Sequence, residues 1–294
     1  MTGKRTGQAN GGPRSGRLTE AQRKTYARDG VVFPVDVLDG AEVADCLRRL
    51  EAVEAERAGR LPPALNAKPH LLLTWLWDLV HDPRIVDAVE ELIGPDVLCW
   101  GTSFISKTGH DDRFVSWHQD ATHWKLARPA ALTAWLALTP SRRDNGCVRV
   151  LPGTHLAPVP HEDTTDRDNM LGRKERVLEP LDVSRAIDVE LEPGQMSLHH
   201  ALVIHGSDPN RSGRRRTGFA IRYVAGNVGQ AGGRRNLATL VRGRDHGLYE
   251  LEQAPEADFH PDAAARHARS LRAGMSMIFD DNPSAHAGRR PDRD

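Results

Sequence analysis

The spacing of apolar positions changes period about a third of the way along the chain. Before that point it is helical. Thr19 reads as an N-cap, with Gln22 completing a capping box, and the helix behind it runs towards Asp29-Gly30. Val31 to Val37 is apolar and β-branched, which predicts a short strand. From Asp39 to about Arg60, Val43, Cys46, Leu47, Leu50 and Val53 recur at helical spacing, with an end near Gly59. Pro83 to Ile93 carries Ile85, Val86, Val89, Leu92 and Ile93 on one stripe, and Gly94-Pro95 stops it.

The middle of the chain has strand composition. Val97 to Lys107, Val115 to Asp120, Ala131 to Leu138 and Cys147 to Leu151 are such runs, followed by Ala186 to Leu191, Met196 to Ile204 and Gly218 to Val224. Asn145-Gly146 predicts a hairpin between the third and fourth of them, and Glu192-Pro193-Gly194 another turn. Seven short strands with this punctuation predict a mainly β protein with flanking helices, a sandwich or jelly roll. Beyond Ala225-Gly226 the chain reads as polar and irregular, with one helix expected from Pro261 to Ala273. Residues 1–16 and 282–294 are rich in small and charged side chains and read as a disordered leader and tail. Residues 17–281 are expected to form one domain.

Composition narrows the class. In 294 residues, 40 Lys and Arg balance 40 Asp and Glu, so no global charge recruits nucleic acid or an anionic membrane. Three cysteines, Cys46, Cys99 and Cys147, show no paired spacing, which argues against a disulfide framework and suits a reducing cytoplasm. No apolar run is long enough for a membrane span, and no signal peptide is readable. The expectation is a soluble cytoplasmic protein.

The candidate chemistry lies in Trp117-His118-Gln119-Asp120. On a strand, positions i and i+2 share a face, so His118 and Asp120 project together while Trp117 and Gln119 face away. A third ligand is expected from the strand Met196 to Ile204, which ends at His205. Two imidazoles and one carboxylate leave positions open on an Fe(II) ion for oxygen and a co-substrate. Taken alone, His-x-Asp is more often a solvated strand end. With fourteen histidines in the chain, His205 has rivals for the third place, among them His123, His155, His161, His199 and His200. By alternation His199 shares a strand face with His205.

The surrounding blocks are more specific. Trp117 to Asp120, Leu132 to Leu138, Asp144-Asn145-Gly146 and Val150 to His155 come in order, followed by Glu192 to Gly194, His205-Gly206-Ser207 and Asn210 to Tyr223. Leu18 to Val32 and Gly94 to Lys107 precede them. In order and spacing, over residues 18–224, this set resembles the phytanoyl-CoA dioxygenase family of Fe(II)- and 2-oxoglutarate-dependent oxygenases. The resemblance implies a double-stranded β-helix (a cupin-like jelly roll) with its core at about 97–224. It implies His118, Asp120 and His205 as the catalytic iron ligands. The 2-oxoglutarate arginine falls on Arg216, with Ser207, Trp135 and Ser103 matching other co-substrate pocket positions. A buried bidentate guanidinium suits the remote carboxylate of 2-oxoglutarate. Arg222 is the rival; Arg211, Arg214 and Arg215 read as a solvated basic turn.

The resemblance further implies that O2 and 2-oxoglutarate are consumed to succinate and carbon dioxide while a C–H bond of a small metabolite is hydroxylated or otherwise oxidised, in specialised metabolism. Related carrier-dependent halogenases carry Ala or Gly in place of this carboxylate, so Asp120 points to oxygenation. Two other readings keep the same residues: a non-catalytic cupin-like binding module and a zinc-dependent hydrolase. The charged segment 158–183 is expected as a lid, with Met170-Leu171 touching substrate. His123, Trp124 and Lys125 hint at a polar or anionic substrate, free or carrier-tethered. No nucleic-acid or membrane partner is expected.

Overall fold

In the computed structural model, residues 16–56 and 58–279 are described. The predicted leader, apart from Gly16, and the predicted tail lie outside them. Helix α1 (Glu20–Asp29) opens on the expected Thr19–Gln22 capping box and ends at Gly30 in the left-handed region. Strand β1 (Val31–Asp36) follows. Helix α2 (Gly40–Ala55) has its own capping box, Asp39 with Glu42, and stops short of the expected Gly59. Helix α3 (Thr74–Val80) was not predicted. Three of its seven residues are Trp or Leu on its buried side, too short a run to establish a helical period. Helix α4 (Pro83–Ile93) spans the expected residues, with Pro at its first turn behind an Asp82 cap.

The strands are β2 (Val97–Lys107), β3 (Val115–His118), β4 (Ala131–Ala137), β5 (Val148–Val150), β6 (His161–Asp163) and β7 (Glu175–Val177). Then come β8 (Ile187–Val189), β9 (Gln195–His200), β10 (His205–Ser207), β11 (Arg216–Ala225), β12 (Leu237–Arg242) and β13 (Glu250–Leu251). Helix α5 (Pro261–Phe279) is longer than expected. A seven-stranded sheet in the order β1-β9-β4-β11-β2-β12-β13 faces a four-stranded sheet β3-β10-β5-β8, and β6-β7 form a separate ribbon. This is a double-stranded β-helix wrapped by helices.

The large sheet is buried on both faces, so its central strands read as nearly continuous apolar runs, and alternation sorts their side chains. Leu132, Ala134 and Leu136 of β4, with Phe219, Ile221 and Tyr223 of β11, pack beneath the helices. Trp135, Ala137 and Ala220 face the small sheet and meet Val148, Val150 and Val189 there. The inner positions of β4, β9 and β11 therefore open on the space between the sheets.

Several expectations change. Asn145-Gly146 does not make a hairpin, because β4 and β5 belong to different sheets. Gly146 still supplies the left-handed turn the dipeptide favours, at φ 75°, and a Cβ there would overlap the Asp208 carbonyl. Strand β9 ends at His200 instead of Ile204, since residues 201–204 cross to the small sheet before β10 begins. The strand of His118 ends at that residue, and Asp120 opens a 3-10 turn. The region after Ala225 is not irregular: β12 and β13 extend the large sheet, and β1 closes its other edge, so the sheet exceeds 97–224. Segment 158–183 carries the β6-β7 ribbon.

Candidate metal and co-substrate site

Strand pairing brings the distant ligands together. Strand β10 lies antiparallel to β3 with His205 directly opposite His118, and their rings are 4.2 Å apart. Gln119 keeps extended backbone past the end of β3, so Asp120 still returns to the face of His118. One ligand atom from each of His118, Asp120 and His205 falls within 4.8 Å of the others. Gln119 points away as expected and bonds the carbonyls of Ala157 and Leu202.

Backbone carbonyls orient both imidazoles. His118 Nδ1 lies 2.9 Å from the Ser116 carbonyl oxygen, and His205 Nδ1 3.0 Å from that of Val203. A carbonyl only accepts, so each Nδ1 carries the hydrogen and each Nε2 lone pair faces the centre. Asp120 Oδ1 sits 3.5 Å from His118 Nε2, while Oδ2 accepts a 2.6 Å hydrogen bond from Thr133 Oγ1. Burial opposes the charge on Asp120, yet His118 and His199, with His205 and Arg222 behind them, hold its carboxyl well below the usual range. Burial, reinforced by His118 and His199, pushes His205 well below the ordinary imidazole value, so it presents a neutral ligand. Burial opposes a proton on His118, but Asp120 beside it pushes the imidazole above its ordinary value, so a metal there would displace that proton. One carboxylate and two carbonyl-oriented imidazoles fit a divalent metal. Thr133→Val, which removes the hydroxyl that fixes Asp120, is expected to weaken metal binding roughly 10- to 100-fold without loss of fold. Titration of the apo-protein with Ni(II) measures this, and unchanged affinity would mean that Thr133 does not orient Asp120.

The rivals for the third ligand separate. His155 and His200 pack edge to face at 5.3 Å on each other. His161 Nε2 accepts from the Gln119 backbone. His199 does reach the centre, from β9 of the opposite sheet. Its ring is 4.6 Å from that of His205 and its Nε2 is 3.8 Å from Asp120 Oδ2. It stands behind the carboxylate, outside the three-residue cluster.

Arg216, the first residue of β11, is fully buried, and none of its guanidinium nitrogens has a hydrogen-bond partner. Its charge lies 5.3 Å from the centre of the Trp135 ring, and burial pushes it down to about 10. Gly218 makes room for that ring, since a Cβ there would overlap it. Trp135, Ser207, Arg216 and the three metal-cluster residues line one cavity. Lys107, paired across from Arg216 on β2, donates to Ser207 Oγ at 2.5 Å and to the Asp208 carbonyl. Burial, with Arg216 beside it, pushes the Lys107 ammonium down to about 7. An unpaired buried guanidinium beside a second cation calls for an anion, and a dicarboxylate chelating a metal at the triad supplies one.

The other arginines behave differently. Arg211 and Arg214 form exposed pairs with Asp112 and Asp144, and Arg215 makes a two-bond pair with Glu54. Arg222 shares the inner face of β11 but bonds Ser103 Oγ at 2.9 Å. Ser103 and Arg222 line a second, wider cavity of about 340 Å³, which also reaches His118 and Asp120. Ser103 thus lines the second cavity and not the one that holds Arg216, while Arg222 lines both. Met170 and Leu171 line the first cavity, and Leu171 and Trp124 the second. Lys125 is absent from both linings. Thr133 and Lys107 escaped the sequence reading because single inward positions on apolar strands carry no signal beyond alternation; alternation alone had put His199 on the face of His205.

Comparisons with known proteins give the chain its relatives. The profile described as phytanoyl-CoA dioxygenase (PhyH) matches residues 26–218. A probable phytanoyl-CoA dioxygenase of Caenorhabditis elegans is 30% identical over 158 residues, 51% of this chain and 50% of that one. The human peroxisomal phytanoyl-CoA dioxygenase is 26% identical over 220 residues, covering 66% of this chain and 65% of its own. The chain thus spans between about half and two thirds of these two curated relatives. Among solved structures, the non-heme monooxygenase ThoJ in its apo form superimposes with a TM-score of 0.76 at 34% identity, over 88% of this chain and 98% of that one. Fold, ligand cluster and profile converge: the chain belongs to the phytanoyl-CoA dioxygenase family.

Proposed function

We propose that this chain is an Fe(II)- and 2-oxoglutarate-dependent oxygenase that hydroxylates, or otherwise oxidises, an unactivated C–H bond of a small molecule. One observation carries the reading: a carbonyl-oriented His118–Asp120–His205 cluster shares a cavity with a fully buried arginine that has no partner. His118, Asp120 and His205 would hold the iron on one side only, leaving its other side to ligands. Bound iron supplies the redox chemistry that couples conversion of 2-oxoglutarate and O2 to succinate and carbon dioxide with oxygenation of the substrate.

The chain's own residues bind and orient. Arg216 would receive the remote carboxylate of 2-oxoglutarate in a two-pronged contact, with Ser207 and the Lys107 charge beside it. Trp135 walls that end, and Ile105, Val148 and Ala220 keep it apolar, which excludes water from a reactive centre. The wider cavity on the Ser103–Arg222 side is left for the substrate, and its size suits a small molecule. Retention of the Asp120 carboxylate favours oxygenation over halogenation. Relatives named ectoine dioxygenase and ThoJ, described as a non-heme monooxygenase, support an oxygenase reading.

The three cysteines are free, and no helix among the described residues is long and apolar enough to cross a membrane. Both fit the cytoplasmic location we infer. Aerobic incubation with Fe(II) and 2-oxoglutarate is expected to produce succinate that depends on both. Activity that persists with zinc and without O2 or 2-oxoglutarate would overturn the proposal.

A further inference from the structure

The wider cavity contains one carboxylate, near His118 and His161, whose buried oxygen has no hydrogen-bond donor. Three cations line it, two of them in ion pairs and the third, Arg222, on a serine hydroxyl. Lys68 Nζ pairs with Glu252 at 2.6 Å, Arg173 with Asp163 at 2.7 Å, and Arg222 is held by Ser103 on the side of Asp120. The single carboxylate that lines it besides Asp120 is Glu175, on β7. Its backbone carbonyl accepts from Ser116 and Asn169, which fixes the strand, but no donor among the described residues reaches its side chain. Its Oε2 is buried and unpartnered.

A buried carboxylate oxygen without a donor is costly unless a ligand brings one. Across the same cavity, Trp100 and Trp124 stack with ring centres 4.9 Å apart and planes 24° apart. Tryptophan rings are the best aromatic partners for a cation.

We propose that the wider cavity takes a substrate carrying a protonated nitrogen, which Glu175 receives as a charged hydrogen-bond donor while the Trp100–Trp124 pair packs against its apolar or aromatic body. This rests on reading the cavity as the substrate side of the oxygenase. It replaces the anionic substrate suggested by the sequence near Lys125, a residue that does not line the cavity. Because Glu175 and the metal cluster open on one space, a nitrogen held by Glu175 would set which C–H bond faces the iron.

Three probes of similar size test it: phenethylammonium, 3-phenylpropionate and the neutral 3-phenylpropan-1-ol. Each is titrated calorimetrically into the full chain loaded with Ni(II) and 2-oxoglutarate, and again into metal-free protein. The ammonium probe is expected to bind roughly tenfold more tightly than either analogue. Glu175→Gln should erase that advantage while leaving Ni(II) and 2-oxoglutarate affinity unchanged. Equal or tighter binding of the carboxylate or the alcohol would overturn the proposal. So would an ammonium Kd weaker than about 10 mM, or a preference that survives in Glu175→Gln. If that variant does not fold, the ranking of the three probes on the wild-type protein still decides. If Ni(II) and 2-oxoglutarate fail to bind, the oxygenase reading falls, and the ranking on metal-free protein decides this one separately.

Discussion

Arg216→Met is expected to abolish useful 2-oxoglutarate binding while leaving the protein as stable as before, or more so. Removing one partner of a buried, hydrogen-bonded charge pair costs about 2–5 kcal/mol, roughly 30- to 5,000-fold in affinity. The unliganded protein, however, carries that guanidinium fully buried and without a partner. A methionine of similar reach removes an unanswered charge, and such replacements are commonly neutral or stabilising. The two effects have opposite signs, and thermal melts separate them. With Ni(II) and 2-oxoglutarate at about 100 times its Kd, the wild-type protein gains about 2.7 kcal/mol, and the variant gains almost nothing. Arg216→Lys should not rescue binding, because one ammonium cannot make the two-pronged contact. A variant that loses stability yet keeps its 2-oxoglutarate shift would mean that Arg216 serves the core and Arg222 serves the co-substrate.

His205→Ala is expected to remove metal binding and turnover together, by at least about 100-fold, since loss of a direct ligand exceeds the usual effect of a residue that only orients one. His199→Ala is the informative contrast. His199 is as buried as His205 and lies close to Asp120, but it stands outside the cluster of converging donors. It should keep the metal with reduced affinity. Metal content after dialysis, read beside succinate formation, distinguishes them. If His199→Ala loses the metal while His205→Ala retains it, the third ligand has been misassigned.

How far the site could be read beforehand follows from how each residue is specified. His118 and Asp120 were legible because two positions apart on extended chain means a common face, and the backbone stays extended through Gln119. The elements around them were legible wherever a local cap or stop decides them, as at Thr19, Asp39, Pro83 and Gly94. His205 and Arg216 were proposed from resemblance, because nothing local distinguishes His205 from His199 or Arg216 from Arg222. Each pair shares an inner face, and only the crossing at residues 201–204 sends His205 into the other sheet. Asn145-Gly146 misled for the same reason. The dipeptide favours a left-handed turn, which it makes, but whether the next strand pairs with the last one depends on sheets the dipeptide does not see.

By itself the sequence determined the local periods, the helix caps, the bounds of β2 and the shared face of His118 and Asp120. These depend on interactions between residues a few positions apart. The tertiary structure alone decided which histidine completes the cluster, which arginine is left without a partner, and that Glu175 faces the substrate side without a donor. Those are facts of who meets whom across the two sheets and the β6-β7 ribbon. Burial then sets their chemistry, because a charge behaves differently once water is gone and its partners are counted.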